Sequence, residues 1–112
     1  MNDNMLNEIE ITLEKAKEKV ALAEMLNSLI ALPAFKTIIT EGYFEREPIR
    51  LSRLSTVPSM LTAENEKILY TRIQAIGYLN QYFVSIMKEA EMAKRAIEVG
   101  NEELEELRNE VV

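Results

Sequence analysis

Arg46, Arg50 and Arg53 are the residues of this 112-residue chain best placed to do chemistry. On a helix they fall at i, i+4 and i+7, one stripe of three guanidinium forks able to grip carboxylates or phosphates. A structural use competes with that one, because Glu41, Glu45 and Glu47 lie close in sequence. A second set of mates is the tail of Glu98, Glu102, Glu103, Glu105, Glu106 and Glu110, which holds only Arg108 as a cation. A head-to-tail contact between subunits would join these opposite charges, although exposed pairs contribute only about 0–1 kcal/mol each. Ion pairing is the stronger of the two readings.

Catalysis is poorly supplied. The chain has no histidine and no cysteine. Ser-His-Asp and Cys-His arrangements are therefore excluded, as are zinc and di-iron sites that need imidazole. Glu10 with Glu14 and Glu102 with Glu106 are carboxylate pairs at helical spacing. They lack the calcium-binding loop or phosphate-cradling glycines that would make them a site, so a solvated acidic face is the better reading. No cofactor or metal is expected, and the chain reads as non-enzymatic. Among the aromatic residues, Tyr43, Phe44, Tyr78, Tyr82 and Phe83 could form a binding surface. Phe83 falls on the apolar seam described next and is expected in the core. Tyr78 and Tyr82 lie off it at i,i+4 and are the interface candidates.

The elements that position these groups are helices. An apolar stripe with strict 3-4 alternation runs through Leu69, Arg72, Ile76, Leu79, Phe83, Ile86, Ala90, Ala93, Ile97, Gly100, Leu104, Leu107 and Val111. A matching stripe runs through Leu6, Ile9, Leu13, Ala16, Val20, Ala23, Asn27 and Ile30. Such spacing marks helices that pack lengthwise on helices. The expected fold is all-α: an antiparallel, coiled-coil-like hairpin of two long helices with a short helical head. It forms a single domain, with a first helix over 1–32, a head over 33–62, a long second helix over 63–99 and an acidic C-terminal helix over 100–112.

Local signals set those boundaries. Asp3 or Asn4 can cap the first helix, and Pro33 should end it. Leu22, Met25, Leu26, Leu29 and Leu32 add a second apolar face to its latter half, which then needs cover on two sides. In the head, Pro33 suits the first turn of a short helix stopped by Gly42, although the β-branched Thr-Ile-Ile-Thr of 37–40 also permits a strand. Tyr43 to Leu54 reads as another short helix, interrupted or restarted at Pro48. Thr62 is a good N-cap for the long helix, with Glu64 and Glu66 in its first turn. Gly100 should kink or end it, and Asn101 can cap a new one.

The two helices differ in length, so a hairpin leaves the far end of the longer one uncovered. Ala90, Ala93, Ile97, Leu104, Leu107 and Val111 are therefore expected to form an interface between copies of the chain. Each exposed Leu-sized side chain forfeits about 1.5–3 kcal/mol. A folded-back tail is the competing explanation.

Composition narrows the setting. Apolar residues make up 47 % of the chain, too many for wholesale disorder, and no uninterrupted apolar stretch is long enough to cross a membrane. The opening residues lack the basic and apolar regions of a secretory signal, and the absence of cysteine suits a reducing compartment. A net charge of −6 disfavours binding to nucleic-acid phosphates.

Two stretches, Ala34-Phe35-Lys36-Thr37-Ile38-Ile39-Thr40-Glu41-Gly42-Tyr43-Phe44 and Ala75-Ile76-Gly77-Tyr78-Leu79-Asn80-Gln81-Tyr82-Phe83, carry a family resemblance. With the Met92-Ala93 to Glu106-Leu107-Arg108 tail, they resemble small helical proteins encoded by tailed bacteriophages, often among virion genes. These relatives are mostly of unassigned role, so the resemblance implies a setting, the virion or the host cytoplasm, rather than an activity. The leading expectation is a non-enzymatic homo-oligomer that serves as a virion structural or assembly component and contacts itself or other virion proteins. An acidic helical module that inhibits or adapts a host protein is one alternative. A prefoldin-like holdase is another.

Overall fold

The computed structural model describes residues 2–110. The elements are α1 (Asn2–Ile30), the single turn α2 (Pro33–Phe35), a π-helix (Lys36–Arg46), α3 (Glu47–Leu54), a 3-10 turn (Pro58–Met60) and α4 (Ala63–Glu110). Among the described residues there is no strand, and the fold is all-α. The chain divides into two compact units, Met1–Leu26 with Ser85–Val112, and Asn27–Val84.

The first unit joins the N-terminal part of α1 to the C-terminal part of α4. Leu13, Ala16, Ala23 and Leu26 are buried on α1, and Ile86, Ala90, Ala93 and Gly100 on α4. All but Leu26 lie on the two stripes predicted by 3-4 spacing. At Leu26 the phase of α1 slips by one residue, leaving Asn27 exposed. Asp3 sits inside the first turn, where its charge favours the helix dipole, rather than at the cap.

Gly100 differs from expectation. α4 passes through it without a break, and no glycine among the described residues has a positive φ. A Cβ built there would come within 2.7 Å of Leu13 Cδ2 and 3.0 Å of Leu13 Cγ. Glycine thus favours close approach of α4 to Leu13 of α1 and serves no turn. Helix 100–112 does not start afresh at Asn101 but is the continuation of α4 as far as Glu110.

Ala90 and Ala93 are buried by this chain alone, and Ile97, Leu104 and Leu107 are half-buried. Val111 lies outside the described residues. Ala90 and Ala93 therefore pack within the first unit, whereas Ile97, Leu104 and Leu107 keep part of their surface open. The physical reason is that the first half of α1 is spent on the C-terminal part of α4, while the head supplies cover for its N-terminal part.

That cover forms the second unit. Leu51 of α3 is fully buried against Leu69 and Ile76 of α4, with Tyr43, Phe44 and Leu54 packed around them. Burying a leucine stabilises by about 1.5–3 kcal/mol. Phe83 lies 6.0 Å from Phe35 and 5.9 Å from Phe44 between ring centroids, the latter edge-on. The 36–46 segment is neither the strand nor the Gly42-stopped helix that its residues suggested. It runs as a π-helix, with the Glu47 N–H donating to the Gly42 carbonyl five residues back. A Cβ at Gly42 would stand 3.0 Å from the Thr37 carbonyl oxygen, a tight contact, so the wide turn favours glycine there. Pro48 starts α3 in its first turn, where no backbone donor is required. The Thr62 hydroxyl accepts from the Asn65 N–H at 3.2 Å and caps α4 as expected.

Candidate interaction surfaces

The three arginines do come together. Arg46, Arg50 and Arg53 line one groove of about 370 Å³ in the second unit, with Ile49, Leu54 and Val57 as its apolar walls. α3 presents Arg50 and Arg53 one turn apart, and Arg46 ends the π-helix just before it. Ile49 and Val57 are exposed and Leu54 is half-buried, so the groove offers greasy surface beneath its charges.

Intramolecular pairing uses only part of that charge. Arg50 Nε donates to Glu47 Oε2 at 3.0 Å, and its Nη2 donates to Glu47 Oε1. This forked bond, reinforced by the charges of Arg50 and Arg72, holds the Glu47 carboxyl below its ordinary pKa and raises that of Arg50. Arg46 stands 4.0 Å from Glu41. Arg53 has no ion-pair partner among the described residues. Arg72 falls on the α4 seam but is exposed, close enough to Glu47 for its charge to be felt. Proximity of Arg72 to α3 is a tertiary fact that sequence spacing could not supply.

Tyr78 and Tyr82 lie outside the core, at 71 % and 57 % exposure, though the Tyr82 ring also packs 6.2 Å from Phe83. They sit on a second 3-4 stripe of α4, with Ile68 before them, that the sequence reading missed. In the first unit the same spacing brings up Met92 and Val99, at 69 % and 52 % exposure. The periodicity of Ile68, Ala75, Tyr78, Tyr82, Met92, Ala96 and Val99 was the available signal, masked by the stronger seam beside it. On α1, Leu22, Met25 and Leu29 form the second apolar face expected there, and it is exposed in this chain.

Shallow grooves flank the helix pair of the first unit. One of about 490 Å³ is lined by Lys15, Ala16 and Lys19 from α1 and by Glu89, Met92 and Ala96 from α4. Another of about 460 Å³ runs between Glu8, Ile9 and Thr12 and the Ala96–Glu103 stretch. Charge divides unevenly between the units. The first carries fourteen acidic and seven basic residues, a net of −7, whereas the second carries five and six, a net of +1. Among the described residues no three potential metal ligands cluster, and no single helix is long and apolar enough to cross a membrane. No protein family, curated protein or solved structure matches this chain.

Proposed function

We propose that this protein is a non-enzymatic helical assembly module that works by protein–protein contact, first with further copies of itself. The observation that carries this reading is the apolar surface left in water on both helices of the first unit: Leu22 and Met25 on α1, Met92 and Val99 on α4. Several large apolar side chains left exposed on one unit mark an association face. The contact of Leu13 with Gly100, and the lining of one groove by both Lys19 and Glu89, support an antiparallel pairing of α1 and α4 within the first unit. The exposed apolar side chains of that unit would then offer a surface onto which a further helix can pack. The setting proposed is the virion or its assembly in the host cytoplasm. Its support is the resemblance of residues 34–44 and 75–83 to small phage proteins.

Analytical ultracentrifugation at micromolar concentrations tests the association, and mass spectrometry of purified particles tests the setting. A stable monomer would remove the first. Absence from particles made in cells that express the protein would turn the reading towards an assembly helper.

A further inference from the structure

We propose that the arginine groove of the second unit receives the C-terminal end of α4 from another copy of this chain. The inference rests on the self-association reading above and gives that association a defined contact. Arg46, Arg50, Arg53 and Val57 follow one another at steps of four, three and four residues, and all four line the same groove. Glu110, Glu106, Glu103 and Val99 repeat those steps in the reverse direction along α4. A helix end laid antiparallel along α3 sets Arg50 and Arg53, one turn apart, opposite Glu106 and Glu103, while Arg46 and Val57, which flank α3 in the same groove, lie towards Glu110 and Val99. The neighbouring acidic stripe of Glu98, Glu102 and Glu105 fits less well, since it runs in the parallel sense and places Asn109 opposite Val57.

Both surfaces are open for this use. Arg53, Glu103, Glu106 and Glu110 have no ion-pair partner among the described residues, and all four are exposed. Glu47 engages two of the five N–H donors of Arg50, leaving the others for a second carboxylate. Glu41, at 4.0 Å, holds Arg46 only loosely. Val57 and Val99 add an apolar pair at one end of the three charge pairs. The net charges of +1 and −7 on the two units act in the same sense. Groove and tail are different surfaces, so the contact is heterologous. Each added copy leaves one groove and one tail free, and assembly continues until it closes into a ring or grows as a filament.

Charge reversal tests this on the full chain. One variant carries Arg46→Glu, Arg50→Glu and Arg53→Glu, the other Glu103→Arg, Glu106→Arg and Glu110→Arg. Sedimentation velocity should show each alone associating at least tenfold more weakly than the wild type. An equimolar mixture should regain the wild-type mass, because each groove then meets a tail of opposite sign. Added salt should weaken the wild-type assembly. If either variant alone associates like the wild type, another surface carries assembly: this contact falls while the self-association reading stands. A mixture of helical variants that stays monomeric overturns the contact as well. A monomeric wild type overturns both readings together. Should circular dichroism show a variant unfolded, Arg53→Gln and Glu103→Gln decide the matter. Each must weaken association, and the double change must weaken it no more than either single one, whereas additive effects would refute the pairing.

Discussion

Adding a single methyl group at Gly100 should have the opposite effect from adding it at Gly77. Both glycines lie inside α4, and replacing a helical glycine by alanine gains about 1 kcal/mol from backbone entropy alone. At Gly77 a Cβ meets nothing within 4 Å, so Gly77→Ala should realise that gain in full. At Gly100 the new atom falls 2.7 Å from Leu13 Cδ2, and Leu13 is 6 % exposed with little room to swing aside. Overpacking of this kind costs about 1–3 kcal/mol, so Gly100→Ala should be neutral to about 2 kcal/mol destabilising. The two variants should differ in melting temperature by roughly 4–12 °C, at about 4 °C per kcal/mol for a domain of this size. Thermal melts followed by circular dichroism at one fixed concentration read this directly. In a Leu13→Ala background the clash is gone, and Gly100→Ala should then stabilise by about 1 kcal/mol. Equal stabilisation by both alanines in the wild-type background would refute the close packing of α1 on α4 at this point.

Further outcomes follow from the same packing. Leu51→Ala should cost about 2–5 kcal/mol, measured by urea unfolding, because Leu51 is fully buried between α3 and α4; a cost below 1 would contradict that core. Folding lowers the Glu47 pKa through the Arg50 hydrogen bond, so this pair stabilises above the ordinary value of 4.5 and the contribution is lost as pH falls through the lower folded value. The melting difference between wild type and Glu47→Gln should accordingly shrink on acidification; a difference constant with pH would show that the carboxylate charge is not involved. Leu22→Lys with Met25→Lys removes exposed apolar surface only, so melting at high dilution should hold within about 0.5 kcal/mol while self-association weakens. Unchanged association would remove Leu22 and Met25 from the association surface and leave the arginine groove to carry it.

The core was legible because packing between helices leaves a period in the sequence. Leu13, Ala16, Ala23, Leu69, Ile76, Ile86, Ala90 and Ala93 all fall on the two stripes and are all buried. The Thr62 cap was legible for a local reason, since its partner is the Asn65 N–H three residues on. What escaped depended on distant partners. Whether Gly100 ends a helix or admits a neighbour is decided by Leu13, eighty-seven positions away in sequence, not by its own surroundings. The burial of Ala90 and Ala93 within the chain also escaped, because helix lengths alone do not say which part of α1 meets which part of α4. Likewise, Leu51 packed on Leu69 and Ile76 makes the head a covering layer for the start of α4. Of the surface residues, Arg46, Arg50 and Arg53 share a face as their spacing required. The apolar walls of that groove and the stripe of Met92 and Val99 went unread, because a stronger period or a charge run stood beside them.

The claim at the centre of this account is that one chain leaves too much organised apolar and charged surface open to work alone. Sedimentation of the wild-type protein across a range of micromolar concentrations measures this most directly. Mass should rise above the 12.9 kDa of a single chain with concentration and fall back with salt. A single 12.9 kDa species at every concentration and salt level would contradict it.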